Sequence, residues 1–284
     1  MNNIHIILIL IIAALILSSC SSEHRKKTEI KLAPEQMCVS FIDVGKGDCI
    51  LITKNGKNIL IDSGYAKTAD EVSDYLKENN VTIIDLFIIT HYDKDHVGGA
   101  EKIIGDFVVK KLYLPDYDGI GGKYEDLMRA VKENSIPSQR VTEIAAEDLD
   151  GTEVTVYPSD AEFRKVGEEW NDNDLSLVVS LRYGSDSFLF AGDIEDEGTE
   201  SFLAKCPQSF DVLKYPHHGK KSERMNELLG SVSPKITVIT DSKDEPASEK
   251  VISAIEDIGS EIYRSSENGT IAVICSGTGE YTVE

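Results

Sequence analysis

The sequence predicts an α/β fold of the α+β kind, in which two β-sheets pack on each other and helices cover their outer faces. Strand-like segments predominate after residue 36, and helical segments are interspersed among them throughout. Each sheet and each helix has an apolar face to bury, and packed layers serve both. With 284 residues, 41% of them hydrophobic, the chain can form one domain with a proper core, which we assign to residues 37–284.

The first element is an apolar segment at the N-terminus. Residues 1–19 contain no Lys, Arg, Asp or Glu, and we interpret them as a secretory signal peptide, because the apolar run is short for a membrane-spanning helix. The stretch LSSC, ending at Cys20, resembles the lipobox of bacterial lipoproteins, in which this cysteine becomes the lipidated first residue. Polar residues 20–36 then form a tether. An uncleaved N-terminal anchor is the alternative, and both readings place the folded domain outside the cytoplasm, anchored to the cell membrane.

The folded part opens with strands joined by a hairpin. Asn55-Gly56 separates two short apolar runs, and both central positions of a type I′ turn need the positive φ that these residues adopt readily. After a helical segment, the apolar run IIDLFIIT is typical of a buried strand, so the pattern changes to β-α-β. Further strands are expected in VVKKLYLP, TEVTVYP, LSLVVSLRYG, SFLFAGD, FDVLKYP, KITVIT and TIAVICSG.

Helices are expected where apolar residues recur at helical spacing. The segment KTADEVSDYLKEN has this pattern, with apolar positions that include Val72 and Leu76. The other expected helices lie near Lys123–Glu133, Glu195–Lys205, Ser222–Leu229 and Ala247–Ile258.

The remaining cysteines are widely spaced. They form no CxxC pair, so we expect buried apolar residues rather than a thiolate metal site, with one disulfide left open by the oxidising compartment. They are Cys38, Cys49, Cys206 and Cys275.

The first candidate metal motif directly follows the buried strand IIDLFIIT. In THYDKDHVGG, the residues His91, Asp93, Asp95 and His96 lie within a six-residue turn that leads into a helix. Imidazole nitrogens and carboxylate oxygens are good ligands for zinc, manganese or iron, and a turn can bring four such groups together. We therefore predict a metal site at the carboxyl end of this strand. A solvated polar loop is the alternative.

Two further motifs also end strands. FLFAGD delivers Asp193, a carboxylate that can bridge two cations, and DVLKYPHHG ends at His217 and His218. In a turn, one histidine can ligate a metal while the other contacts substrate or supports a ligand. We favour His217 as the ligand and His218 in the second role, and leave their order open.

The order HxDxDH, GD, PHHG, each at a strand end, resembles the metallo-β-lactamase superfamily, whose usual first motif is HxHxDH. More narrowly, the segments FIDVGKGDCILI, NILIDSG, ITHYDKDHVGG, NDNDLSLVV, FAGDIE and DVLKYPHHG are similar to the hydrolase domain of ComEC-type competence proteins. The resemblance covers nearly the whole chain after the tether. Two positions depart from the pattern: Asp93 stands where a histidine is commonest, and Lys46 where ComEC relatives more often carry Gln.

The resemblance implies a four-layer αββα sandwich with a metal site along one edge of the two sheets. It implies that His91, Asp93 and one histidine of the pair hold a first divalent ion, that Asp95 and His96 hold a second, and that Asp193 bridges them. A carboxylate in place of an imidazole makes the site harder, so manganese stands beside zinc as the expected metal.

Four further positions are candidates for contacting substrate or supporting a ligand. Asp62 ends a strand near the same edge and is expected to hydrogen-bond a ligand. Asn173 and Ser176, in NDNDLS, are candidates for contacts with substrate or backbone, and Ser222 follows the histidine pair, where it can meet a phosphate. An ordinary loop or helix-start role is the alternative for each.

These observations predict a membrane-tethered, metal-dependent hydrolase. Two cations would lower the pKa of a bridging water, so that hydroxide can attack a phosphodiester, with Asp95 as the catalytic residue that orients it. The resemblance favours a small-molecule or nucleic-acid phosphodiester, while the net charge of −21 argues against a basic DNA-binding face. An ester or lactam hydrolase on the same site and a non-catalytic metal-binding lipoprotein are the alternatives. No protein partner follows from the sequence.

Overall fold

The computed structural model describes residues 32–162, 164–166 and 169–284. The predicted signal peptide, Cys20 and the tether as far as residue 31 lie outside the described residues. Within the part that is described, no helix has both the length and the apolar character needed to cross a membrane.

The strands and helices follow in this order. The strands are β1 (Met37–Phe41), β2 (Ile50–Lys54), β3 (Lys57–Ile61), β4 (Ile83–Ile84), β5 (Leu86–Ile88), β6 (Val108–Val109), β7 (Leu112–Pro115), β8 (Ser138–Val141), β9 (Ala145–Asp148), β10 (Glu153–Tyr157), β11 (Arg164–Val166), β12 (Glu169–Asn171), β13 (Val178–Tyr183), β14 (Asp186–Phe190), β15 (Val212–Lys214), β16 (Ile236–Ile239), β17 (Glu261–Arg264), β18 (Ile271–Cys275) and β19 (Tyr281–Val283). The helices are α1 (Ala69–Glu78), α2 (Ala100–Asp106), α3 (Gly122–Glu133), α4 (Asp196–Lys205), α5 (Met225–Val232), α6 (Glu249–Asp257) and α7 (Ser265–Asn268). Short 3₁₀ turns lie at Ala66–Thr68, Asn173–Leu175 and Pro216–Gly219.

Two large sheets carry most of the strands. The eight-stranded sheet has the order β19-β18-β1-β2-β3-β5-β7-β8, and the seven-stranded sheet has the order β17-β16-β15-β14-β13-β10-β9. Strands β3, β5, β7 and β8 are parallel, as are β14 to β17. The hairpin predicted at Asn55-Gly56 joins β2 and β3, which pair antiparallel.

Alternating apolar side chains hold the layers together. In β2, Ile50 and Ile52 point into the core between the two sheets, whereas Leu51 points into the core under helices α1, α2 and α3. On the other side, Leu189 and Leu213 of the seven-stranded sheet share a third core with α4, α5 and α6. The predicted four-layer αββα sandwich is therefore confirmed.

Two runs that we predicted as single strands are each divided. The first halves of IIDLFIIT and VVKKLYLP form β4 and β6, which pair with each other in a separate small sheet. Asp85 marks the first break, because its carboxylate accepts a hydrogen bond from the backbone N–H of Asn58 at 3.1 Å and contacts Lys110 at 2.8 Å. A side chain thus replaces a strand partner at this point.

Helix α5 begins three residues later than predicted. The backbone N–H of Arg224 donates to Oδ1 of Asp196 at 3.0 Å, which holds the segment before Met225 against the start of α4. The cysteines after the tether are buried and free: Cys38, Cys49, Cys206 and Cys275.

The carboxyl ends of five parallel strands meet at one edge of the sandwich. Strands β3 and β5 end there in one sheet, and β14, β15 and β16 end there in the other. The backbone N–H of Leu177 donates to the carbonyl of Thr90 at 2.9 Å and ties the two sheets together at this edge. Ligands commonly bind outside the carboxyl ends of parallel strands, so this edge is where the motifs should act.

Candidate metal centre

One turn after β5 brings two buried histidines together. The ring centroids of His91 and His96 lie 4.0 Å apart, and both side chains are fully buried. The turn is tight, since the backbone N–H of His96 donates to the carbonyl of Asp93 at 2.9 Å. Gly98 then allows the close approach that the turn needs, because a Cβ at this position would lie 2.2 Å from the carbonyl oxygen of Lys94.

Asp62, at the end of β3, orients both of these histidines. Its carboxylate accepts hydrogen bonds from the backbone N–H of Thr90 at 2.8 Å, from the Thr90 hydroxyl at 2.7 Å and from Nδ1–H of His96 at 2.7 Å. The Thr90 hydroxyl donates its only hydrogen to Asp62, so its oxygen, 3.1 Å from Nδ1 of His91, accepts from that nitrogen. Each histidine therefore carries its Nδ1 proton towards Asp62, directly or through Thr90, and presents Nε2 as a lone-pair donor.

Asp193 is held by the loop after β14. Its backbone N–H donates to the hydroxyl of Ser176 at 3.2 Å, and Gly192 has a φ of +56°. A Cβ at Gly192 would lie 2.8 Å from Cβ of Ser176, so only glycine permits this approach. The result is that Oδ2 of Asp193 lies 3.3 Å from Nε2 of His96.

The PHHG turn directs its two histidines differently. His217 and His218 have φ values of +46° and +52°, a left-handed backbone that is uncommon outside glycine and concentrates at functional sites. Nε2 of His218 lies 3.1 Å from Oδ2 of Asp193, 3.3 Å from Nε2 of His96 and 3.6 Å from Oδ2 of Asp95. The buried His218 is therefore at the centre of the cluster.

His217 lies towards the rim. Its Nδ1 contacts Oε1 of Glu195 at 2.9 Å, and its Nε2 is 3.9 Å from Oδ2 of Asp193. The geometry favours His218 rather than His217 as the ligand, the reverse of the order we preferred from the sequence. His217 as a ligand stays a prediction.

Among the residues that the structure describes, three groups of side chains offer ligand atoms that lie within 4.8 Å of one another, and His96 belongs to all of them. They are His91, His96 and Asp193; Asp95, His96 and His218; and Asp48, Asp62 and His96.

The donor set fits a metal ion. Nε2 of His91 is buried without a hydrogen-bond partner among the described residues, and a buried polar atom of this kind needs one. A cation held between His91 and Asp193 would satisfy it. Asp93 is outside the three groups, with 54% of its side chain exposed and Oδ2 4.0 Å from Nε2 of His91, so its role as a ligand remains a prediction.

The charges of the cluster reinforce one another. Burial alone would lower the pKa of His96, but the carboxylates of Asp193 and Asp62 outweigh burial and raise the pKa well above its ordinary value. Burial alone would raise the pKa of Asp193, but His218, His96 and Lys214 outweigh it and hold the pKa well below its ordinary value. A cation would compete with a proton for Nε2 of His96.

The structure adds residues that sequence reasoning did not assign. Lys214 is fully buried at the end of β15, where it contacts Asp48 and Asp193, and Thr240 follows β16 and contacts His218. The available signals were Lys214 in an otherwise apolar strand and, for Asp48, an aspartate two residues before β2.

The other predicted positions lie further from the cluster. The amide of Asn173 donates to Oε1 of Glu195 at 3.3 Å, so it supports the residue that contacts His217. Ser176 holds the backbone of Asp193, as described above. Ser222 is partly exposed in the segment before α5, and its contact with substrate stays a prediction.

Residues 42–239 match the family model for the metallo-β-lactamase superfamily, and this span includes the three candidate metal motifs, THYDKDHVGG, FLFAGD and DVLKYPHHG. The chain belongs to the metallo-β-lactamase superfamily. Its first motif, with Asp93 at the third position, differs from the usual HxHxDH of the superfamily in that residue.

Curated relatives include competence and recombination proteins. The chain is 26% identical over 260 residues to ComE operon protein 3 of Bacillus subtilis, covering 82% of this chain and 32% of that protein. It is 28% identical over 213 residues to recombination protein 2 of Haemophilus influenzae, covering 73% of this chain and 24% of that protein. The chain thus spans about a third or less of the length of these relatives.

Solved structures share the metallo-β-lactamase fold at low sequence identity. A metallo hydrolase from the archaeon Ignicoccus hospitalis aligns with a TM-score of 0.54 and 16% identity, covering 83% of this chain and 98% of that one. CmlA, a diiron β-hydroxylase from Streptomyces venezuelae, aligns with a TM-score of 0.52 and 15% identity, covering 82% of this chain and 53% of that one. A hydrolase and a hydroxylase share this fold, so the reaction must be argued from the site.

Proposed function

We propose that the chain is a metal-dependent hydrolase that cleaves a phosphodiester. The observation that carries this proposal is the convergence of Nε2 of His96, Nε2 of His218 and Oδ2 of Asp193 within 3.3 Å of one another, beside the unpartnered Nε2 of His91. Nitrogen and oxygen donors that converge at a sheet edge in this way are typical of a metal-binding site rather than of packing between side chains.

Two of the ligand groups share His96 and divide the remaining donors. Nε2 of His96 has one lone pair and can ligate one ion, so Asp95, His96 and His218 would hold one divalent ion, and His91 and Asp193 would hold the other. When bound, two ions of zinc or manganese supply Lewis-acid charge that lowers the pKa of a bound water and stabilises an anionic transition state.

Asp95 is the residue that we assign to the attacking water. Its side chain is 14% exposed, whereas the histidines beside it are buried, so its carboxylate reaches the side from which substrate must enter. Oδ2 of Asp95 lies 3.6 Å from Nε2 of His218, at the edge of the cluster. A water in contact with this carboxylate would donate a hydrogen bond to it. The role of Asp95 is to orient that water, and the buried rings exclude other water from the centre.

Two lysines near the centre support a phosphate-containing substrate. Lys46 precedes Gly47, which lies so close to the turn that a Cβ there would be 2.7 Å from the carbonyl oxygen of Asp95. Lys220 follows the histidine turn. Their ammonium groups contact only partly exposed or exposed carboxylates, Glu245 at 2.9 Å and Glu195 at 3.0 Å. Exposed pairs of this kind are weak, so both lysines can turn to the oxygens of a bound phosphate.

The names of the relatives also support a nucleic-acid or nucleotide phosphodiester, since they include competence and recombination proteins. The formal net charge of −21 limits this to contacts at the site itself. We therefore favour a short or small phosphodiester over long duplex DNA.

The test is turnover of a chromogenic phosphodiester by the full chain, kept in mild detergent, stripped of metal and reloaded with zinc or manganese. We expect metal-dependent turnover that falls by about 10²–10⁴-fold in Asp95→Ala, the usual range for a positioned acid–base group. The matched control is Asp43→Ala, an exposed aspartate in the loop after β1, which should retain turnover.

The other outcomes would redirect the assignment. Two bound metals without phosphodiester turnover would favour an ester or lactam substrate on the same centre. Failure of the chain to bind any metal would refute the hydrolase and leave a non-catalytic lipoprotein.

We further infer that the chain is a lipoprotein anchored to the outer face of the cell membrane through Cys20. The support is the sequence of residues 1–20, an uncharged apolar run followed by LSSC. Labelling with a palmitate analogue should mark the wild-type chain and should be lost in Cys20→Ala. Equal labelling of both chains would refute the anchor.

A further inference from the structure

A fully buried lysine lies directly beneath the metal centre. Nζ of Lys214 donates to the carbonyl of Gly192 at 2.9 Å, contacts Oδ2 of Asp48 and lies 3.5 Å from Oδ1 of Asp193. An ammonium group has three hydrogens, and these three oxygens account for all of them. Burying an ammonium group is costly unless it is paired, so the arrangement requires an explanation.

The contact with Asp193 divides the two oxygens of that carboxylate. Oδ1 faces Lys214, whereas Oδ2 faces Nε2 of His218 at 3.1 Å and Nε2 of His96 at 3.3 Å. Lys214 therefore leaves a single oxygen of Asp193 directed towards the site.

The contact with Asp48 continues to His218. Oδ1 of Asp48 accepts a hydrogen bond from the Thr240 hydroxyl at 2.6 Å, and Oγ1 of Thr240 lies 3.1 Å from Nδ1 of His218. The hydroxyl donates its only hydrogen to Asp48, so its oxygen accepts from Nδ1–H of His218. The lone pair of His218 then lies on Nε2, the atom that faces Asp95, His96 and Asp193.

We propose that Lys214, Asp48 and Thr240 form a positioning chain for the metal centre, which presents Oδ2 of Asp193 and Nε2 of His218 as the ligand atoms. This proposal rests on the proposed metal centre and assigns it three supporting residues. Asp48 comes from the loop before β2, while Lys214 ends β15 and Thr240 follows β16 in the other sheet, so the positioning chain crosses between the sheets.

The same construction occurs a second time in the site. Asp62, Thr90 and His91 form an aspartate–threonine–histidine series in which the threonine donates to the carboxylate at 2.7 Å and lies 3.1 Å from Nδ1 of the imidazole. Two such series, in different loops and converging on one cluster, argue for a shared role in orienting imidazole rings. A buried ion pair that only stabilised the fold would not need the threonine.

The test compares Thr240→Val, which removes the hydroxyl and keeps the shape, with Thr240→Ser, which keeps the hydroxyl. Both are made in the full chain. Long-range proton–nitrogen correlation spectra of the metal-free chain, labelled at histidine with ¹⁵N, report which nitrogen of His218 carries the proton. Competition with a chelator gives the affinity for Zn²⁺ and Mn²⁺.

We expect the proton of His218 on Nδ1 in the wild type and in Thr240→Ser, with loss of that preference in Thr240→Val. Metal affinity should fall about 10–100-fold in Thr240→Val and return towards the wild-type value in Thr240→Ser, the usual effect of removing a group that orients a ligand. An unchanged His218 signal or an unchanged affinity in Thr240→Val would overturn the positioning chain.

A second variant tests the lysine arm without leaving Asp48 as a buried, unpaired charge. The double variant Asp48→Asn with Lys214→Met removes one positive and one negative charge, and we expect it to fold and to bind metal more weakly than the wild type by a similar factor. Wild-type metal affinity in this variant would contradict the role of Lys214. These measurements use no substrate, so a wild type that binds metal without turnover would refute the proposed function and leave this inference standing.

Discussion

Replacing Lys214 by methionine should destabilise the metal-free protein far more than an ordinary surface substitution does. Methionine has a similar length and fills the same space, so the change removes the charge and little volume. The side chains of Asp48 and Asp193 are only 2% and 3% exposed, and the variant leaves both of them without their shared counter-charge.

The magnitude follows from this geometry. Removing one partner of a buried ion pair costs about 3–5 kcal/mol, because the remaining charge stays buried and uncompensated. The carbonyl of Gly192 also loses its 2.9 Å hydrogen bond from Lys214. Losing this hydrogen bond would lower the free energy of unfolding by about 1 kcal/mol more. We therefore expect the free energy of unfolding to fall by about 4–6 kcal/mol.

The assay is urea unfolding of the metal-free full chain, followed by far-ultraviolet circular dichroism. The control is Lys110→Met, because Lys110 is 50% exposed and its partner Asp85 keeps Lys57 and the backbone N–H of Asn58. We expect a loss of about 1 kcal/mol or less in the control. A loss below about 1 kcal/mol in Lys214→Met, with an unchanged dependence on urea, would refute the reasoning.

Three further predictions concern packing, pH and metal. Gly98→Ala should cost about 3 kcal/mol, because its Cβ would overlap the backbone of Lys94, whereas Gly105→Ala, on α2 with open space around it, should stabilise by about 0.5–1 kcal/mol; urea unfolding compares them. Burial would raise the pKa of Asp241, but hydrogen bonds from Ser266, Ala247 and Arg264 outweigh it and lower the pKa, so the carboxylate stabilises the fold above its unfolded pKa of about 3.9. The free energy of unfolding of the wild type should exceed that of Asp241→Asn, and this difference should shrink as pH falls from 5 through the folded pKa of Asp241. A difference that does not change with pH would contradict this. Chelation should lower Tm by about 5 °C or more if metal is present at 100 times its Kd, and equal Tm values would contradict metal binding to the folded state.

The sequence predicts the layers well because their physical cause is local. Ile50 and Ile52 alternate with Leu51 along a single strand, and this pattern alone assigns one face to each core. The divided strands were missed because the break depends on the side chain of Asp85, which replaces a strand partner in contacts with distant residues. Hydrophobic periodicity carries no information about such contacts.

The motif residues of the site were predictable where the chain itself brings them together. His91, Asp95 and His96 share one turn, so their spacing already indicates a common site. The Asp48–Thr240 hydrogen bond joins residues that are 192 positions apart. Local sequence patterns do not predict such a contact.

The order of the histidine pair depends on backbone conformation. An extended segment would place His217 and His218 on opposite faces, but both residues adopt a left-handed conformation with φ near +50°. This turn directs Nε2 of His218 into the cluster and leaves Nδ1 of His217 on Glu195. The sequence alone does not reveal a left-handed conformation at a residue other than glycine. Our preference for His217 was therefore made without the backbone geometry that directs the two rings.

The candidate centre lies on the seam between two sheets, and each sheet supplies part of it. His91 and His96 follow β5 of the eight-stranded sheet, whereas Asp193 and His218 follow β14 and β15 of the seven-stranded sheet. A cation bound across this seam stabilises only the state in which the sheets are docked, so its binding free energy adds to the free energy of unfolding. Without a metal, the raised pKa of His96 favours a protonated ring, which attracts the carboxylate of Asp193 at 3.3 Å and holds the seam together. Metal binding and sheet docking are therefore one equilibrium, and substitutions that loosen the seam should weaken metal affinity even when they touch no ligand.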